Sequence, residues 1–378
     1  MIRRVSVADE TRLLRETARA FVAREIAPHV EEWERAGEVP RELHRRAAAA
    51  GLLGLDFPEE VGGQGGTFEH SLALTEEIIL GGGSSGVCAA LLTHGISIPH
   101  IAAAGDPRQI ERFVRPTLAG EKIGALAVTE PGGGSDVAAL TTSARRDGGH
   151  YVVNGAKTYI TSGVRADFLT TAVRTGGAGH EGVSLLVIEK GSPGVAVSRR
   201  LDKMGWLCSD TAELSFADVR VPVENLVGEE GTGFLQIMRH FESERLGMAV
   251  QAYATAQRCV DLTLAWTSER GLTDKQVVRH KLAEMARQTD VAREYVRAVA
   301  RRWEAGDADR ADVAMAKNTA VYACDFVVHE AVQLHGGLGF MRGVEVERHY
   351  RDARVLGIGG GASEVLTELV AKRLLRGR

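Results

Sequence analysis

Glu244 is the residue whose type and spacing first suggest chemistry. It sits in Gly233–Gln251, GFLQIMRHFESERLGMAVQ. Phe234, Ile237, Met238, Phe241 and Met248 recur there at helical spacing, so the stretch is expected to be an amphipathic helix. Glu244 falls three residues after Phe241 and four before Met248, which sets its carboxylate on their apolar face. A carboxylate facing a core is unfavourable unless it is paired or has work to do. Two readings stand open at this point. One is a pair with Arg245 or another cation. The other is a general base whose pKa is raised by desolvation.

A second stretch with chemical potential is Leu126–Asp136, LAVTEPGGGSD. It reads as a strand entering a loop of three consecutive glycines, followed by Ser and Asp. Bare glycines let backbone amides approach a phosphate or a ring closely, although a flexible turn explains the same residues. It lacks the Gly-Lys-Ser/Thr ending of a P-loop and has no helix directly after it, so neither the P-loop nor the Rossmann pattern applies. Cys88, Cys208, Cys259 and Cys324 are far apart and form no CxxC pair. That points to buried free thiols in a reducing, cytoplasmic setting and away from a metal site.

The elements that must position these residues follow from the chain's composition and order. At 378 residues it can bury a large core in two or three domains. Apolar content of 44% and charged content of 25% suit a soluble globular protein. A net charge of −4 gives no basic footprint for nucleic acid, and no apolar run reaches membrane-spanning length. The first residues carry two arginines but no apolar signal core, so they read as mature sequence.

The pattern is α+β: a helical domain over 1–120, a small β-barrel or sandwich domain over 121–230, and a four-helix bundle over 231–378. Ser6 with Asp9 resembles a cap for a first helix carrying Leu13, Leu14, Phe21, Val22 and Ile26. Glu42–Ala50, Phe68–Leu80, Val87–Ala104 and Asp106–Leu118 also read as helical, and Phe57–Thr67 as a turn-rich loop. Short β-like runs follow at Lys122–Thr129, Tyr151–Asn154, Thr158–Thr161, Phe168–Arg174, Val183–Glu189, Val195–Ser198 and Ala212–Phe216. Long helices return at Phe234–Arg270, Gln276–Glu304, Ala308 to about His335, and Ser363–Leu375.

Four motifs in order carry a resemblance. LAVTEPGGGSD, NGAKTYITSG at Asn154–Gly163, QLHGGLGF at Gln333–Phe340 and YRDARVLGIGGGASE at Tyr350–Glu364 strongly resemble the acyl-CoA dehydrogenase family. The likeness runs almost from end to end and includes FPEEVGGQGG and LLTHG. It implies an FAD enzyme that oxidises acyl thioesters to 2,3-enoyl thioesters, a base taking the α-proton and flavin N5 the β-hydride. Val128 and Thr129 would line the flavin ring. Gly134 and Ser135 would reach the FAD pyrophosphate, with Ser135 bordering the pantetheine. Tyr159 and Thr161 would pack on the isoalloxazine, although Tyr159 alone could be a plain strand aromatic. Gln333, Gly336 and Gly337 would contact the FAD of a neighbouring subunit, which implies a homodimer or homotetramer. Electrons would pass to electron-transferring flavoprotein.

The resemblance also bears on Glu244. Many family members carry the base as the Glu of an IYEGT-like loop before the last helix. Here that loop is Ile358-Gly359-Gly360-Gly361-Ala362, with Gly360 at the base position. A second group, including isovaleryl and long-chain enzymes, carries its base on the bundle helix just before an Arg, and Glu244-Arg245 fits that pattern. Glu244 is therefore favoured as base, with Glu242 as fallback. The Gly360 N–H and the FAD ribityl hydroxyl would hold the thioester carbonyl. Arg245, Gly359, Gly361 and Ser135 would lie beside the substrate.

Three departures stand out. The chain runs Arg270-Gly271-Leu272-Thr273-Asp274-Lys275-Gln276 where the family usually has Arg-x-x-Phe-Gly-Lys. Arg270 keeps a charge for the neighbouring FAD, but the aromatic wall is expected to be missing and FAD to be held more weakly than usual. Ala362 replaces a Thr, and Gly343 stands where an acidic residue is common. The substrate would be a CoA ester or an acyl group on a carrier protein. A flavin monooxygenase on the same scaffold and a non-catalytic, decayed thioester-binding subunit are the competing readings.

Overall fold

The computed structural model describes residues 7–376, so the Ser6 cap lies outside it. Helix α1 (Val7–Phe21) runs on through a short π-turn, Val22–Ile26. Helix α2 (Phe68–Leu80) begins where the Thr67 N–H donates to His70 Nδ1 at 2.9 Å. Val87–Ala104, expected as one helix, is three: Ser85–Leu91, His94–Ser97 and Pro99–Ala104. Pro99 has no N–H for the preceding turn and restarts the chain as a new helix. Ser84 caps the first of the three, its Oγ accepting from the Gly86 and Val87 N–H groups.

Seven strands then form one sheet: β1 (Gly124–Ala127), β2 (Ser143–Asp147), β3 (His150–Thr161), β4 (Phe168–Arg174), β5 (Val183–Glu189), β6 (Val195–Arg200) and β7 (Thr211–Pro222). Their order is β1-β4-β2-β3-β7-β6, with β5 paired to β4. β1 lies parallel to β4, and a single parallel bridge, Ser143 to Arg174, joins β2 to β4. The two runs expected at Tyr151–Asn154 and Thr158–Thr161 are one strand. Register shifts against β7, between Val153 and Gly155 and between Lys157 and Ile160, carry it past Asn154-Gly155. β2 gave no sequence signal because only Ala144 of its five residues is buried.

The bundle comprises α3 (Gly233–Glu269), α4 (Gln276–Glu304), α5 (Arg310–His335) and α7 (Ser363–Arg376), with a shorter α6 (Glu345–Ala353) between the last two. α3 packs on α4 and α5, and α5 packs on α4 and α7. α6 was not expected: it is rich in charge, and its buried face includes Arg348, His349 and Asp352. Ion pairs such as Arg258–Glu345 at 2.7 Å satisfy it where apolar periodicity would normally reveal a helix. Among the described residues no helix is long and apolar enough to cross a membrane. All four cysteines are free and buried.

Two apolar cores meet on α3. Leu246, Met248 and Tyr253 belong to the helical core with Phe21, Trp33, Leu74 and Val321. Ile237, flanked by Phe234, Met238 and Phe241, belongs to a second core with Phe113, Phe168 and Leu185. Glu244 lies on the stretch between them. The first helices are tied to the bundle by an ionic knot around two buried carboxylates. Glu76 accepts from Tyr253 Oη at 2.5 Å, from Arg297 at 2.6 Å and from Arg15, while Glu77 accepts from Arg15 at 2.8 Å and Arg19 at 2.7 Å. Removing Glu76 would leave the buried Tyr253 hydroxyl without its acceptor and the partly buried Arg297 without its carboxylate. Glu76→Ala is therefore expected to destabilise the protein by about 3 kcal/mol. An unfolding midpoint in urea equal to that of the wild type would contradict this.

Candidate active site

Glu244 projects from α3 toward the Gly359–Gly361 loop. Its Oε1 lies 3.8 Å from the point where a Cβ on Gly360 would stand, and Met248 Sδ lies 2.7 Å from that point. Gly360 has φ +62° and Gly361 φ +98°, a backbone that side chains rarely adopt. The carboxylate is half-buried and is engaged by no hydrogen bond or ion pair among the described residues. Burial pushes its pKa up, partly offset by the charges of Arg245 and Lys317. Arg245 is not its partner, since the guanidinium Nε donates instead to the Gly360 carbonyl at 2.9 Å. Glu242 is fully committed elsewhere, accepting from Trp303 Nε1 and Arg310 Nε, each at 3.0 Å.

A second group gathers where β1 ends. Val128 is buried, and the Thr129 carbonyl accepts from the Thr158 N–H at 2.9 Å, stitching this exit to β3. Lys157, wholly buried, donates to the Val128 carbonyl and to Glu130, both at 2.9 Å. Glu130 also accepts from the N–H groups of Thr141 and Thr142 at 2.7 and 2.8 Å. Burial alone would raise the Glu130 pKa, but Thr142 and Lys157 outweigh it and bring it to about 2. Burial takes Lys157 down to about 8, against the pull of Glu130. Lys157 lies within NGAKTYITSG and was given no role by the sequence reading. A lone Lys between the buried Val153 and Ile160 was the signal for one.

Beside this exit, Tyr159 is 70% exposed and has φ +59°, a strained conformation for an aromatic residue. The register shift between Lys157 and Ile160 turns it out of the sheet. A Cβ on Gly134 would sit 3.1 Å from Thr129 Cγ2, so Gly134 packs against Thr129. Ser135 is exposed, and Thr161 pairs with Thr211 of β7. An outward aromatic beside bare glycine backbone suits a flavin ring and its pyrophosphate.

The third group lies at the end of the bundle. Gln333, Gly336 and Gly337 are exposed, and a Cβ on either glycine would meet no heavy atom within 4 Å. Arg270 lies 5.2 Å over the Trp266 ring, which stacks on His335 at 5.4 Å. Trp266 of α3 thus places an aromatic ring against Arg270, one helical turn before it. Among the described residues no hydrogen bond or ion pair links this group to the one around Val128.

Three successive regions of the chain match known domains of one family: the acyl-CoA dehydrogenase N-terminal domain over residues 8–121, its middle domain over 125–219 and its C-terminal domain over 231–375. The chain belongs to the acyl-CoA dehydrogenase family. It is an oxidoreductase of CH–CH bonds, and its cofactor is FAD. It is 38% identical to the mitochondrial long-chain specific acyl-CoA dehydrogenase of Mus musculus, over 99% of this chain and 88% of that one. A probable acyl-CoA dehydrogenase from Mycobacterium abscessus superposes with TM-score 0.96 at 66% identity, over 97% of this chain and 98% of that one. A glutaryl-CoA dehydrogenase from Mycobacterium smegmatis in complex with FADH2 superposes with TM-score 0.90 at 25% identity, over 97% and 94%.

Gly360→Ala would place a Cβ at a positive φ and against Met248. A cost of about 1–2 kcal/mol is expected, read as a lower unfolding midpoint of the holoenzyme. An unchanged midpoint would contradict a loop that requires glycine.

Proposed function

We propose that this chain is an acyl-CoA dehydrogenase in which Glu244 takes the substrate α-proton. The observation that carries this is the approach of Glu244 Oε1 to within 3.8 Å of the Gly360 Cβ position. A base rooted on the loop and a base rooted on the bundle helix would thus deliver their carboxylates to the same place. Glu244 has no hydrogen bond to break before it acts, and burial has already moved its pKa toward that of a useful base.

An α-C–H of a thioester is a far weaker acid than a carboxylic acid, so the developing enolate oxygen must be stabilised. The Gly360 N–H meets no acceptor among the described residues and is the chain's own donor for that oxygen. Arg245 fixes the neighbouring carbonyl, and Gly359 and Gly361 leave the substrate unobstructed by side chains. Val128, Thr129, Gly134, Ser135, Tyr159 and Thr161 would seat the FAD, which when bound supplies the hydride acceptor. A poised carboxylate favours dehydrogenation over a monooxygenase or an inactive subunit.

The substrate we favour is an acyl-CoA, with a long acyl chain suggested by the similarity to long-chain enzymes. A carrier-linked thioester is the alternative. Exposed Leu338, Phe340 and Met341 beside Gly336 and Gly337 support a homodimer or homotetramer in which this end of the bundle meets a neighbour's FAD. Electron-transferring flavoprotein is the proposed acceptor, and four buried thiols suit a cytoplasmic, reducing setting.

A thioester panel, both CoA-linked and carrier-linked, scored by anaerobic flavin bleaching, tests the reading. Glu244→Gln is expected to bind thioester yet bleach about 100- to 10,000-fold more slowly. Bleaching at the wild-type rate would remove Glu244 from the chemistry. The base must be ionised, so kcat/KM is expected to rise with pH through a value above the ordinary carboxylate range. That limb should vanish in Glu244→Gln. FAD retention is expected to depend on the Arg270–Trp266 stack. Trp266→Ala should lower the flavin-to-protein ratio after extended dialysis, and an unchanged ratio would exclude the stack from FAD binding.

A further inference from the structure

Lys317 sits on α5 at helical spacing between Val313 and Val321, and its side chain is wholly buried. No carboxylate lies within ion-pair distance of it among the described residues, a costly state for an ammonium. It faces backbone carbonyls instead. Its Nζ donates to the Gly359 carbonyl and, at 2.8 Å, to the Gly361 carbonyl. Arg245 holds the carbonyl between them at 2.9 Å. All the carbonyls of the glycine triplet are therefore drawn to cations behind the loop.

That arrangement fixes where the loop's donors point. In a trans peptide the C=O and N–H are directed oppositely, and the described residues contain no cis peptide. The peptide joining Gly359 to Gly360 has its oxygen on Lys317, so its N–H is turned away from Lys317. A charged donor on the oxygen also withdraws electron density through the amide and strengthens the N–H as a donor. Lys317 Nζ and Glu244 Oε1 lie 3.6 and 3.8 Å from the Gly360 Cβ position, so cation, base and N–H share one small volume.

We propose that Lys317 is a positioning residue for the dehydrogenation, its ammonium aiming and polarising the Gly359–Gly360 peptide so that the Gly360 N–H stabilises the enolate oxygen. This rests on the assignment of Glu244 as base. In the step concerned the α-C–H bond breaks, the proton passes to the Glu244 carboxylate, and the electron pair moves onto the thioester oxygen. The charged groups acting on Lys317 are Glu244, favourably, and Arg245, unfavourably, both from α3. From the loop it meets only carbonyls. Burial brings its pKa down to about 8, so its charge, and the help it gives, fades on the alkaline side.

The test uses the holoenzyme and a 3-thia-acyl-CoA. This thioester can lose its α-proton but, with sulfur at the β position, cannot be dehydrogenated. Its enolate against oxidised flavin gives a long-wavelength charge-transfer band. The band is recorded against pH for the wild type, Lys317→Met, Lys317→Gln, Lys317→Arg and Glu244→Gln, with kcat and KM for an oxidisable acyl-CoA. Lys317→Met is expected to shift formation of the band to higher pH and to lower kcat roughly 100-fold, with KM changed far less. Lys317→Gln should fall between Met and wild type. Lys317→Arg should keep the band and lose the alkaline fall near pH 8. Wild-type bands and rates in both the Met and Gln variants would overturn the proposal. So would loss of FAD from every Lys317 variant, which would make the residue purely structural. Should only the Met variant lose FAD, the Gln and Arg variants decide by the same criteria. If Glu244→Gln keeps the band and turnover, the base assignment fails on its own, whatever Lys317 does.

Discussion

The constraint on which this molecule depends is electrostatic: one half-buried carboxylate and two buried cations are gathered around a three-glycine turn. Each charge alone would be costly to bury. The cations recover that cost by hydrogen-bonding backbone carbonyls of the turn, Lys317 at Gly359 and Gly361 and Arg245 at Gly360. The carboxylate of Glu244 recovers none of it through a hydrogen bond. It is left as the reactive member, its pKa raised by burial and only moderated by the two cations.

The architecture makes this possible because α3 serves two cores. Its first turns pack with Phe113 and Phe168 under the sheet, and its middle packs with Phe21 and Val321 in the helical core. Glu244 falls where one core ends and the other begins. The ionic knot of Glu76, Arg15, Tyr253 and Arg297 keeps the first helices fixed to the bundle. At the sheet, the buried Lys157 plays a part like that of Lys317, bonding the Val128 carbonyl where the strand opens into its glycine loop. In both places a buried lysine holds backbone, and the backbone beside it is glycine-rich and open.

Much of this was legible in the sequence where periodicity was strong. The span of α2, the limits of α4, and β4 and β5 follow directly from apolar spacing. What escaped did so for physical reasons. β2 shows almost no buried face, and α6 is held by ion pairs, so neither carries an apolar signature. The Pro99 break was readable but was outweighed by an almost continuous apolar run. At the site, Glu244 and the glycine triplet were visible, because a charge on an apolar face and a run of glycines are both anomalies. Lys317 was an anomaly of the same kind, a lysine among Val313, Val321 and Cys324 on one helical face. Its meaning depended on carbonyls more than 40 residues away in the chain, which no local pattern could supply. Trp266 stands on the helix before the Arg270–Gln276 turn, outside any motif, so nothing local ties it to Arg270.

The account turns on one contact, that between the Glu244 carboxylate and the carbon it deprotonates. A crystal structure of the holoenzyme with a bound 3-thia-acyl-CoA measures it directly. A Glu244 oxygen is expected about 3 Å from the ligand α-carbon, with the Gly360 N–H on the thioester oxygen. A carboxylate swung onto Lys317 or Arg245, with another group standing at the α-carbon, would contradict it.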